Sequence, residues 1–340
     1  MFRFVTGCFM VATFCALSIA TVRASEVNVY SYRQPYLIEP MLEKFTDETG
    51  IKVNVLFAGK GLVDKMVQEG DSSPVDVLLT VDIGRLSDAV NQEVSQSFSS
   101  SVVNANIPSQ YRDPDGHWVG LTARARVVYA SIDRVAQDEI TYEELAGPEW
   151  AGRLCTRSGQ NAYNLALFAS LIAHHGEAET IEWLKGVKAN MARTPQGNDR
   201  GQVKGIFSGE CDISIGNTYY MAKMRTNDKE PEQKDWAASA KIIMPNADGR
   251  GTHMNLSGAV LAKHAPNQDN GIKLIEFLTE DIAQEMYAET NHEYPLKEGV
   301  GISDMVASFG DLNADTLDLI TIANNRVVAS EMVDLVGYDE

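Results

Sequence analysis

Hydrophobic positions along the chain switch repeatedly between two periods. Val27-Asn28-Val29-Tyr30 has the alternation of a strand, and Leu37, Ile38, Met41, Leu42 and Phe45 then recur at helical spacing until Gly50. Strand alternation returns over Ile51 to Phe57. That sequence of periods predicts a βαβ unit, in which the helix carries the chain back to a parallel neighbour. A helix near Leu62 to Gln68 and a buried strand at Val75-Asp76-Val77-Leu78-Leu79 extend the pattern.

The segment from Trp118 to Ser131 is rich in β-formers and precedes a fresh set of βα units, so it reads as a crossover between domains. The second set comprises a strand at Gly152 to Cys155, helices from about Tyr163 to His175 and near Thr180 to Lys188, and a strand at Cys211 to Ile215. Asn227 to Lys234 reads as an exposed loop. Lys241 to Met244 and Leu256 to Ala262 read as strands, the second a return crossover, and helices dominate from Asn270. The pattern predicts an α/β fold of two hinge-connected lobes around a ligand cleft. Residues 25–123 plus about 257–302 form the first lobe, and 124–256 plus about 303–340 the second.

Ahead of these elements, Arg3 precedes an apolar run from Phe4 to about Ala20, which ends in Val22-Arg23-Ala24. This is the layout of a cleaved secretory signal over residues 1–24. The run is shorter than the roughly 20 residues a spanning helix needs, so export to the periplasm, as a monomer, is the expectation. Cleavage would leave Cys155 and Cys211. An oxidising compartment favours their pairing as a disulfide, with two buried free thiols as the alternative.

Composition narrows the function. Across 340 residues, 29 Lys and Arg stand against 47 Asp and Glu, a net charge of −18, with 44% hydrophobic residues. The chain is therefore of ordinary globular composition, and its acidity argues against nucleic acid or an anionic membrane as partner. Serine-elbow, Ser-x-x-Lys, zinc-protease and Walker A signatures all fail, so no enzyme is expected. His174-His175 close a helix, where they read as caps on its last carbonyls.

Tyrosine is the informative residue type. Gly216-Asn217-Thr218-Tyr219-Tyr220 follows a buried strand at the carboxyl end, where open α/β sheets bind ligands, and Tyr163 begins a helix of the same lobe. Adjacent tyrosines often divide into one core and one surface ring. Three phenol oxygens meeting at one sheet edge would instead suit a hard, highly charged cation, because phenolate is a hard anionic donor. Phenol titrates near pH ~10, so only a strong Lewis acid holds three phenolates at neutral pH, and ferric iron (Fe3+) fits better than zinc, calcium or magnesium.

Val29-Tyr30-Ser31-Tyr32-Arg33, Gly120-Leu121-Thr122-Ala123-Arg124-Ala125-Arg126, Cys211 to Tyr220 and Glu293-Tyr294-Pro295 together resemble the periplasmic ferric-ion-binding proteins, the substrate-binding components of iron(III) ABC importers. The resemblance implies a two-lobed periplasmic binding-protein fold of type II that hands its cargo to an inner-membrane permease. It also implies that Tyr163, Tyr219 and Tyr220 are the iron ligands. Some members add a His-Tyr pair from the first lobe; here the stretch reads Arg33-Gln34-Pro35-Tyr36, without the histidine and with the tyrosine displaced by one. That departure favours the family's other mode, in which a synergistic anion such as carbonate completes the shell. Arg124 and Arg126 match the family's arginine pair and suit bidentate anion holding, and Arg33 is a third candidate. A binder of sugar, polyamine or organic anion on the same fold is the competing reading.

Overall fold

The computed structural model describes residues 25–340, so the secretory-signal expectation for residues 1–24 lies outside the described residues. The first unit is β1 (Glu26–Ser31), α1 (Pro35–Thr49), β2 (Lys52–Phe57), α2 (Leu62–Glu69) and β3 (Val77–Thr80). β1 lies in parallel between β2 and β3. α1 starts on Pro35, buries Ile38, Met41, Leu42 and Phe45 on one face, and stops where Gly50 turns left-handed at φ 71°. The sequence therefore specifies this unit locally. α3 (Ile83–Asn91) and the short α4 (Ser101–Asn106) follow.

β4 (Trp118–Ser131) is buried along its whole length. Next come β5 (Leu154–Cys155), α5 (Ala162–His175), α6 (Glu177–Ala189), α7 (Asp199–Phe207), β6 (Ile213–Asn217), α8 (Thr218–Arg225), α9 (Glu232–Ala238), β7 (Ala240–Ile243) and β8 (Met254–Leu261). The chain closes with α10 (Gln268–Leu278), α11 (Asp281–Met286), a π-turn at Tyr287–Asn291, β9 (Tyr294–Pro295), α12 (Asp304–Ala307) and α13 (Leu319–Leu335). Strand order is β2-β1-β3-β8-β4-β6-β5, with β7 and β9 also on β4.

β4 serves two sheets in succession. Its first part, from Trp118 to Ala125, pairs antiparallel with β8, whereas Arg126 to Ala130 pairs with β6 and Val128 to Ser131 with β7. The crossover read from the sequence is thus one unbroken strand, and β8 is the return. On one flank α13 packs against both α5 and α3. Its Leu319, Ile322 and Ala323 share an apolar cluster with Leu86 and Ala89 of α3 and Leu165 of α5. Among the described residues, no helix is long and apolar enough to cross a membrane.

Three local readings differ from the sequence expectation. The stretch Asn227 to Lys234 is not all loop, because α9 begins at Glu232 and buries Gln233 and Ala237. His174 and His175 do not cap carbonyls. Their Nε2 atoms lie 2.7 Å from Asp315 and 2.6 Å from Glu143, carboxylates brought in by distant loops. α7 had no sequence counterpart; it carries Gly201 and Gly205, which weaken the helical signal. Gly205 is there for space, since a Cβ would sit 3.1 Å from the Cys211 sulfur and 3.4 Å from that of Cys155. The Cα atoms of these cysteines stand 5.8 Å apart, a separation a disulfide spans.

Candidate functional site

Helix N-termini supply the tyrosines of the candidate site. Asn161 caps α5 by accepting the Tyr163 N–H at 3.0 Å, which fixes Tyr163 in the first turn. β6 runs directly into α8, so Tyr219 and Tyr220 occupy that helix's first turn. The Tyr219 hydroxyl reaches the Tyr163 hydroxyl at 3.5 Å, and the Tyr219 and Tyr220 rings stack with centroids 4.4 Å apart. Tyr219 is buried and Tyr220 half-buried, and the stacked pair lies beside Tyr163 and Arg200.

Four guanidinium groups surround the phenols. Arg157, Arg124 and Arg126 lie 5.4, 5.5 and 6.0 Å from the Tyr163 ring centroid, and Arg200 lies 4.9 Å from that of Tyr220. The alternation of β4 puts Arg124 and Arg126 on one side of the strand, as the sequence requires. Their partners differ. Arg126 is spent on Asp199 at 2.9 Å, Asn217 at 3.0 Å and Asn164 at 2.6 Å. Arg124 donates to Ser257 Oγ at 2.7 Å and the Leu256 carbonyl at 3.0 Å, with Glu293 at 3.6 Å. Arg33, in the bend between β1 and α1, donates to Ser257 and Glu293, both at 2.5 Å.

Two buried carboxylates organise this ring of charge. Asp199 accepts from Arg126, Arg157 and the Asn217 backbone N–H, tying the start of α7 to the start of α8. Glu293 accepts from Arg33 and from Thr122 at 2.6 Å. Glu293 belongs to a motif quoted from the sequence, but its task there was not readable; Asp199 and Arg157 carried no sequence signal.

Burial pushes the Tyr219 hydroxyl well above the ordinary phenol range, reinforced by Tyr163 and Tyr220 and opposed by Arg124. Tyr220 is raised as well, by burial and then by Asp199. Burial works against the charge of Arg124, yet Tyr163 and Glu293 outweigh it and hold the guanidinium more firmly protonated. Buried phenols at neutral pH therefore keep their protons until a strong Lewis acid displaces them. Among the described residues, no group of three His, Cys, Asp or Glu is placed to hold a metal ion. Tyr36, the displaced first-lobe tyrosine, is 55% exposed at the cleft rim, where its ring faces Lys223 rather than the three phenols.

Two α/β units joined by a shared strand, with a charged cleft between them, are the build of a two-lobed solute-binding protein. Residues 55–308 match the bacterial extracellular solute-binding proteins, and the chain belongs to that family. It is 43% identical over 316 residues to iron uptake protein A1 of Synechocystis sp., covering 92% of this chain and 87% of the relative. Among solved structures, apo ferric ion-binding protein A of Pasteurella haemolytica superposes with a TM-score of 0.89 at 53% identity, covering 93% of this chain and 99% of that one. The Trichodesmium protein IdiA (FutA), solved with iron and citrate ligands, gives 0.87 at 38% identity, covering 92% and 100%.

Proposed function

We propose that the protein captures ferric iron outside the cytoplasm on Tyr163, Tyr219 and Tyr220 and delivers it to an inner-membrane ABC permease. The observation that carries this reading is the 3.5 Å approach of the Tyr163 and Tyr219 hydroxyls beside the stacked Tyr220 ring. Phenols that close, inside a ring of guanidinium groups, suit a trivalent cation that takes their protons away. Three phenolates neutralise the ion and leave coordination positions open for an anion.

Arg124 is the group best placed to hold that anion, because its hydrogen bonds go to a hydroxyl and a carbonyl with Glu293 farther off at 3.6 Å, whereas Arg126 is hydrogen-bonded to Asp199 at 2.9 Å. Arg33 stands behind Arg124 through their shared Ser257. Carbonate is the proposed synergistic anion. The citrate in the Trichodesmium complex shows that a larger carboxylate accompanies iron in a relative. The two lobes divide as 25–123 with about 257–302, and 124–256 with about 303–340, and α13 spans the flank between them. Residues 1–24 act as the export signal. The protein works as a monomeric carrier, not an enzyme. An organic cargo such as a sugar or polyamine is not favoured, since the relatives are named for iron.

The test is the visible spectrum of the purified protein with and without ferric salt. Phenolate-to-iron charge transfer gives a coloured complex, and a protein that stays colourless and takes up no iron overturns the reading.

A further inference from the structure

The two flanks of the cleft are closed by different means. On one, α13 is fixed by the apolar cluster it shares with α3 and α5, and Arg326 lies against Gly84 and 3.5 Å from Asp88. On the other flank a long polar side chain of the second lobe reaches across to the first. Lys223 lies on α8, one turn beyond Tyr219 and Tyr220, and so on the face that carries the tyrosines.

The Lys223 ammonium donates to the Thr290 carbonyl at 3.0 Å and lies 5.4 Å from the centroid of the Tyr36 ring. Both partners belong to the first lobe. They move as one body, because Asn291 beside Thr290 donates to the Leu37 carbonyl beside Tyr36 at 2.9 Å. Tyr36 and Thr290 are themselves exposed. Burial brings the ammonium down to about pH 8 against the pull of Glu293, as expected for a cation taken out of water between two surfaces.

We propose that Lys223 is a positioning residue, a clasp from α8 to Tyr36 and Thr290 that holds the tyrosine-bearing helix against the first lobe and slows escape of the cargo. The proposal rests on the ferric-iron reading for its cargo and on the two-lobed division for its geometry. It assigns Lys223 no bond to the metal. A cation donating to a carbonyl and facing a ring does this work without a fixed hydrogen-bond direction, so arginine can replace it and methionine cannot.

Two measurements on the full mature chain test it, with Lys223→Met and Lys223→Arg beside the parent. In the first, iron-loaded protein is mixed with excess EDTA and the charge-transfer band is followed in time. Lys223→Met should release iron about tenfold faster, with the band at its parental wavelength, and Lys223→Arg should restore the parental rate. In the second, small-angle scattering of the metal-free proteins should give a larger radius of gyration for Lys223→Met and the parental value for Lys223→Arg. A Lys223→Met protein with the parent's release rate or the parent's radius of gyration overturns the clasp, as does failure of arginine to restore either. A shifted band would make Lys223 part of the metal's own shell and would overturn it too. If the parent takes up no iron, the cargo reading fails on that result alone, and the scattering comparison still decides the clasp.

Discussion

The hydroxyls of Tyr163 and Tyr219 stand 3.5 Å apart although 56 residues separate them in the chain. Each sits in the first turn of a helix that follows a strand of the second sheet, so the meeting is a product of topology. Tyr163→Phe, Tyr219→Phe and Tyr220→Phe each remove one oxygen and almost no volume. Each variant should fold like the parent, lose iron affinity by orders of magnitude, and show a weakened or shifted charge-transfer band. Proton release on iron binding, read by pH-stat, should fall in every variant, since each ligating phenol gives up one proton. Unchanged release in all three would sink the phenolate mechanism.

The two arginines of β4 should separate by phenotype. Arg124→Ala should weaken iron retention when carbonate is present and match the parent once carbonate is stripped. Arg126→Ala should instead cost stability, because it leaves the fully buried Asp199 without one of its two cationic partners. Breaking a buried pair costs about 3–5 kcal/mol, which urea denaturation resolves easily. If Arg124→Ala loses iron equally with and without carbonate, its role is in folding.

Cys155 and Cys211 are predicted to form a disulfide in the mature protein. Cys155 ends β5 and Cys211 lies just before the neighbouring β6, and closing the intervening loop should contribute about 3–5 kcal/mol. Mass analysis without reductant decides it: alkylation of two thiols would exclude the bridge. The side-chain space for the bridge is kept by Gly205, so Gly205→Val should hinder oxidation.

His253 should make the fold acid-sensitive. Burial, aided by Arg126, His174 and Arg250, brings its imidazole down to about 3, and among the described residues neither ring nitrogen has a hydrogen-bond partner. A base with a depressed folded-state pKa is neutral in both states at pH 7 and contributes no pH dependence there. Below about pH 6.5 the unfolded chain takes up a proton that the folded one refuses, so stability falls by about 1.4 kcal/mol per pH unit. The loss should level off near pH 3. His253→Leu should flatten the slope of urea-derived stability between pH 6 and 4; an unchanged slope would show that another group governs it.

The parts of this molecule written locally were readable from its sequence. α1 between β1 and β2 carries its apolar face, its proline start and its glycine stop between Pro35 and Gly50, and β4 declares itself by β-branched and aromatic density. The Tyr219-Tyr220 pair was legible because a strand delivers it directly to the sheet edge. What stayed hidden depends on residues distant in sequence. Glu293 meets Arg33 across 260 positions, and Lys223 meets Thr290 across 67. His174 and His175 looked like helix caps because the carboxylates that bind them come from loops the periodicity does not place. Asp199 opens a helix interrupted by two glycines, so nothing in its neighbourhood marked it as the anchor of two arginines.

The change of partner along β4 falls between Ala125 and Arg126. Arg124 is therefore bonded into the sheet of one lobe and Arg126 into the sheet of the other, with a single residue between them. On the proposed two-lobe division, a rotation that twisted the strand at that point would alter the spacing of the two guanidinium groups over the Tyr163 ring. The pivot and the charge around the cargo are thus one piece of backbone. On the proposed tyrosine site, a turn of the lobes would therefore change the charge around the ion as well as uncover it.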